Sequence, residues 1–183
     1  MLALVFPLAL AAAPAPAVTP CELDAEAELS IPMDVCDSWL EGGSAYSATM
    51  TASLTPPPAT QQVVVYQFEG NWFLHAEGYR WNGSLIETRR NDVPISQADA
   101  ATIRDELTTA YLATLAEKPF YGSPNVICTD GATIELAAAS AGSRHAARQH
   151  SCAGQTQLTQ TAALFRELAI RYDPGFEGYL SFL

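Results

Sequence analysis

Ten residues, Ser143-Arg-His-Ala-Ala-Arg-Gln-His-Ser-Cys152, hold two of the three histidines, two of the nine basic residues and one of the four cysteines of this chain. Imidazoles at such spacing can do acid–base or pH-sensing chemistry once carboxylates face them. Asp130 and Glu135 lie just upstream, before Ala138-Ala-Ser-Ala-Gly142, which reads as a turn. A hairpin centred on Ser140 sets Glu135 opposite His145, Asp130 opposite His150 and Cys128 opposite Cys152. Directly opposed side chains have Cβ atoms about 4.5–5.5 Å apart, so each carboxylate would favour the imidazolium of its partner. Glu135, His145, Asp130 and His150 are therefore the candidate catalytic residues.

Strand parity limits what they can do. Cys128, Asp130, Ala132, Ile134 and Leu136 are expected to share a face with Arg144, Arg148 and His150, while Glu135 and His145 point the other way. The two histidines then cannot chelate one metal. Thr129-Asp130-Gly131 reads equally well as a turn, which would dissolve the Asp130–His150 pair. A structural role is expected ahead of a catalytic one. Elsewhere, His75-Ala-Glu77 puts His and Glu on one strand face, without the Pro-Cys-x-x-Cys that a zinc deaminase needs. The chain has no Gly-x-Ser-x-Gly elbow, phosphate loop, dinucleotide fingerprint, His-Glu-x-x-His or Cys-x-x-Cys. No cofactor and no metal is expected. Arg80, Arg89 and Arg90 come near each other across an Asn-Gly turn and could hold an anion or the acidic N-terminal segment, of which the segment is the expected partner.

The elements that position these groups are legible from period and punctuation. Tyr46 to Thr55 alternates apolar and hydroxyl residues as a half-buried strand should. Past Thr55-Pro-Pro-Pro-Ala-Thr60, a stiff connector, strands are expected at Val63–Glu69, Trp72–Trp81 and Ser84–Asn91, with Gly70-Asn71 and Asn82-Gly83 as turns. A helix opens at Ser96 as N-cap, with Asp99 three residues on, and carries Ile103, Leu107, Ala110, Tyr111 and Leu115 as its apolar stripe up to Lys118-Pro119. After the hairpin, a second helix is expected from Gln157 to Arg171, then a short strand over Tyr179–Leu183. The fold class expected is α+β, an antiparallel sheet of meander plus C-terminal hairpin covered by two helices and stapled by disulfides.

Residues 1–17 are uncharged and apolar, and close with Ala15-Pro16-Ala17, which reads as a secretory signal peptide too short for a membrane span. Residues 18–44 read as an acidic, disulfide-tied segment and 45–183 as one domain. Four cysteines in an exported chain form an even set, Cys21, Cys36, Cys128 and Cys152, with local pairing 21–36 and 128–152 the least strained. Closing a loop of about 25 residues with the second pair would stabilise by roughly 3–4 kcal/mol. The formal net charge is −11. Phosphate backbones would be repelled, so nucleic acid is excluded as a partner, and a basic envelope protein is the natural counterpart.

Cys128-x-Asp130-Gly131, then Glu135, a glycine turn, His145, Arg148 and an amphipathic C-terminal helix, resembles uncharacterised exported proteins of alpha-proteobacteria. The resemblance runs from Cys128 to the C-terminus, with Thr133 and Ile134 where those proteins have an aromatic before the Glu. It implies a periplasmic address and no particular activity. The expectation is a periplasmic or secreted protein, with no stable membrane insertion after signal cleavage, acting as a non-catalytic binding or envelope-associated module. The alternative is a small hydrolase or ligand-binding enzyme that uses an acid–His pair.

Overall fold

Seven strands and three helices form in a computed structural model, which describes residues 18–20, 34–36, 43–53, 58–115, 130–140 and 142–181. The strands are β1 (Val18–Pro20), β2 (Ala45–Ala52), β3 (Thr60–Phe68), β4 (Asn71–Asn82), β5 (Leu85–Pro94), β6 (Ala132–Ser140) and β7 (Ser143–His150). The helices are α1 (Gln97–Glu106), α2 (Thr109–Thr114) and α3 (Gln157–Tyr172). None of these helices is long and apolar enough to cross a membrane. The expected signal peptide, Cys21, the proline connector's first residues and Val126–Thr129 lie outside the described residues.

Turn chemistry sets the meander, one residue away from where the dipeptides suggested. Phe68 pairs with Asn71, so Glu69 and Gly70 are the central residues, both at positive φ (49° and 79°), as a type I′ hairpin turn requires. Asn82 pairs with Leu85, which makes Gly83 and Ser84 the central pair; Gly83 takes a φ of 65°.

Ser96 caps α1 as expected, its hydroxyl accepting from the Asp99 amide at 3.1 Å. The single long helix expected after it is broken at Leu107. There Thr108 leaves the helical conformation and its side chain accepts from the Tyr111 amide, starting α2. A threonine hydroxyl competes for backbone groups in this way. The break resets the helical phase, so Leu112 is buried and Ala110 exposed. In α3 the expected stripe holds, with Leu158, Ala162, Phe165, Leu168 and Ala169 buried.

The strand order is β1-β7-β6-β2-β3-β4-β5, and every pairing is antiparallel. After α1 and α2 the chain returns to dock β6 on the outer side of β2, and β1 completes that edge. One sheet face, carrying Ala48, Val63, Val65, Leu74, Leu136 and Ala147, packs with Ile103, Leu112 and Phe165 from the helices in the main core. Fully burying a side chain such as Phe165 or Leu136 is worth about 1.5–3 kcal/mol. The other face has a smaller core of Ala45, Val64, Tyr66, Ala137 and Ala139, closed by Val35 of the N-terminal segment.

Two further expectations need correction. The β6–β7 hairpin turns between Ser140 and Ser143, not about Ser140, so Glu135 faces Arg148, Ala138 faces His145 and Thr133 faces His150. That odd shift moves Arg144, Arg148 and His150 onto the face of Glu135. Tyr179–Ser181 is not a strand. It crosses the end of β3 beside β4, where the Tyr79 amide of β4 donates to the Tyr179 carbonyl at 3.1 Å and the Ser181 amide to Oε1 of Gln61 in β3 at 2.7 Å. Cys21 and Cys128, one member of each expected disulfide, lie outside the described residues.

Candidate functional site

The face away from the helices carries the polar chemistry, because alternation along six strands lines it up in rows. One row reads Arg148, Glu135, Thr49, Gln62, Glu77, Arg90 across β7, β6, β2, β3, β4 and β5. The next reads Ala146, Ala137, Ser47, Val64, His75, Asp92. The first begins and ends on an arginine with a carboxylate just inside each. The second ends on a histidine opposite an aspartate.

His75 and Asp92 make the one close His–carboxylate pair among the described residues. His75 is 0% exposed, and its Nδ1 lies 3.0 Å from Asp92 Oδ1. The Tyr66 hydroxyl donates to the same oxygen at 3.4 Å, and the Tyr66 ring stacks on Phe73 at 5.6 Å. Nε2 of His75 is buried without a hydrogen-bond partner, 4.0 Å from Glu77 Oε2. The hydrogen bond from His75 holds the Asp92 carboxyl below its usual range, against the opposing pull of burial. Burial, reinforced by the Asp92 charge, pushes the Tyr66 phenol up to about 12.

An imidazole oriented by a carboxylate at Nδ1 resembles the base of a hydrolase. Such a base needs Nε2 facing a nucleophile in a space a substrate can enter. Here Nε2 faces a second carboxylate from inside the protein. The arrangement as it stands orders and charges a sheet face.

The expected site residues are not brought together. Glu135 is held by Arg144 and, at 3.6 Å, by Arg148, while Arg144 Nε also lies 3.8 Å from Asp34 of the N-terminal segment. His145 stands on the helix side, opposite Ala138. Asp130 Oδ1 accepts from the Gly131 amide at 2.7 Å, the turn reading of that stretch. His150 is 6% exposed and its Nδ1 accepts from the Cys152 amide at 3.3 Å. The three arginines also part company. Arg80 pairs with Glu87 at 2.6 Å, Arg89 with Asp173 at 2.7 Å, and Arg90 stands on the opposite face across from Glu77. The acidic segment instead reaches Arg144 through Asp34.

Two clefts open beside α3. The larger, about 520 Å³, has Ile134 and Ala163 with Ser151, Gln155, Thr159 and Gln160 around it; the smaller, about 270 Å³, is bounded by Tyr111, Leu164, Glu106 and Gln157. Among the described residues, no histidine or cysteine lines either cleft. No group of three metal-ligating side chains is arranged to hold an ion among the described residues.

Compared with known proteins, the chain matches no family model, no curated protein and no solved structure.

Proposed function

We propose that this chain is an exported acidic binding module that works without catalysis, its partner a basic protein of the envelope or the surrounding medium. The observation that carries the reading is how the arginines are used. Arg80, Arg89, Arg104, Arg144, Arg148 and Arg171 are each ion-paired within the chain, and Arg166 donates to the Leu180 carbonyl at 2.7 Å. With the positive charge taken up locally, the carboxylate excess behind the net charge of −11 is left to act outward. The leader-like residues 1–17 support a periplasmic or secreted address.

The stapling belongs to the same reading, with Cys21 bonded to Cys36 and Cys128 to Cys152. The Asp130 carbonyl lies 3.4 Å from Cys152 Sγ, so the chain two residues past Cys128 already runs beside that sulfur.

A small hydrolase is the second reading. The His75–Asp92 pair favours it, and it requires His75 to be uncovered. The test is titration of the chain with purified cationic proteins, a lysozyme and a cytochrome c among them, over a range of ionic strength. Binding that weakens steeply with salt is expected. Absence of binding at low salt overturns the reading, and ester or glycoside turnover lost in His75→Gln would install the second.

A further inference from the structure

Twelve-residue β4 outruns its neighbour. β3 begins at Thr60, so beyond Tyr79 the pairs Arg80 with Glu87, Trp81 with Ile86 and Asn82 with Leu85 form a two-stranded arm. Residues 80–85 are all exposed, Trp81 at 50% and Leu85 at 68%. Trp81 and Ile86 share one face of the arm, and Leu85 lies on the other.

An isolated ribbon of this length is marginal in water, yet this one is braced. The Glu87 carboxylate accepts from Arg80 Nε at 2.7 Å, Asn82 Nδ2 at 2.7 Å and the Tyr179 hydroxyl at 3.2 Å. The Arg80 guanidinium lies 4.6 Å from the centre of the Tyr179 ring. These donors, Asn82 foremost, hold the Glu87 carboxyl below its usual range. Large apolar side chains on a stiff support are what a binding anchor needs, since little freedom remains to be lost on docking.

We infer that this arm is the seat of the interaction: its tip enters an apolar pocket on a cationic protein, Trp81 against one wall and Leu85 against the other. The inference rests on the acidic-module reading and names the part of the surface that engages. Charge chooses the partner. Glu87 neutralises Arg80, so the tip brings no positive charge to an anionic lipid surface, and the body behind it carries the net charge of −11. A basic protein is attracted by that body and offers a pocket to the tip. Attraction sets the encounter, and the buried indole sets the lifetime.

The experiment compares the full chain with the double variant Trp81→Ala, Leu85→Ser by calorimetric titration against a lysozyme, a cytochrome c and polylysine, which has charge but no pocket. Both changes fall at exposed positions, so the thermal midpoint should stay where it is. The expected result is at least a tenfold loss of affinity for the protein that binds wild type best, an unaltered salt slope, and no change towards polylysine. Equal affinity of variant and wild type overturns the arm as the seat and leaves the acidic module standing. If wild type binds none of the proteins, the functional reading itself fails. Blue-shifted Trp81 emission on phosphatidylcholine vesicles, taken as the difference from Trp81→Phe, would assign the arm to lipid and overturn the inference.

Discussion

His75 and Asp92 sit directly across from each other on β4 and β5, Nδ1 to Oδ1 at 3.0 Å, with the histidine fully enclosed and the aspartate at the rim. The aspartate is thus the solvent-facing member of the pair. Because its folded-state pKa is depressed, it contributes stability above the ordinary carboxylate range, and that contribution is lost as pH falls through the folded value. Asp92→Asn should destabilise by about 1 kcal/mol at neutral pH. The gap to wild type should narrow as pH falls below the ordinary carboxylate range and through the depressed folded value. Urea unfolding at several pH values reads this directly, and a gap that persists in acid would show that packing, not charge, is what the substitution removed.

The Tyr66 phenol makes the matching prediction on the alkaline side. Absorbance at the phenolate band should show Tyr66 ionising near 12, with Tyr46 and Tyr79 also delayed by burial, and Tyr66→Phe should delete the Tyr66 step alone. Since the folded state keeps the proton longer than the unfolded chain, stability should decline from about pH 10 upward, and less so in the variant.

The β6–β7 register can be tested by coupling. A double-mutant cycle between Glu135 and Arg148 should give about 0.2–1 kcal/mol, as solvent-accessible ion pairs do. The same cycle between Glu135 and His145 should give close to zero. A reversal would restore the hairpin centred on Ser140.

Gly78 lies against the C-terminal segment: a Cβ placed there would lie 2.4 Å from the Tyr179 carbonyl oxygen. Gly78→Ala should therefore destabilise by about 1–3 kcal/mol. Amide exchange should quicken at Tyr179 and Ser181 and leave β6 and β7 unaltered. An unchanged thermal midpoint would mean that the segment is not held where it lies.

Non-reducing peptide mapping should recover Cys21 with Cys36 and Cys128 with Cys152. Replacing Cys152 by Ser should cost about 2–4 kcal/mol. Crossed pairs would displace the proposed stapling.

Much of this architecture could be read from period and punctuation. The Ser96 cap and the stripe of α3 each rest on local chemistry within a few residues, and each appears where the sequence put it; β2 also forms, but its hydroxyl face is covered where the alternation implied a solvated one, Ser47 being buried. What failed was register, which is settled by a single residue. Taking Asn82-Gly83 as the central turn pair would oppose His75 to Arg90, whereas the observed Gly83-Ser84 opposes it to Asp92. The same kind of slip set Glu135 against His145 in place of Arg148. His75-Ala-Glu77 was visible as a pattern, but its partner came from another strand, and nothing local reveals that. The break in the first helix was hidden because a threonine can either continue a helix or cap a new one.

The strand order leaves the sheet two borders. One is the three residues Val18–Pro20, closed by a proline that has no amide to donate; the other is β5, which bears Arg90 and Asp92 and stops at Pro94. Short length, charge and proline are the devices that keep a border from recruiting further strands. This sheet is finite by construction, so a crowded solution of the folded protein should stay clear where a bare-edged sheet would seed fibrils.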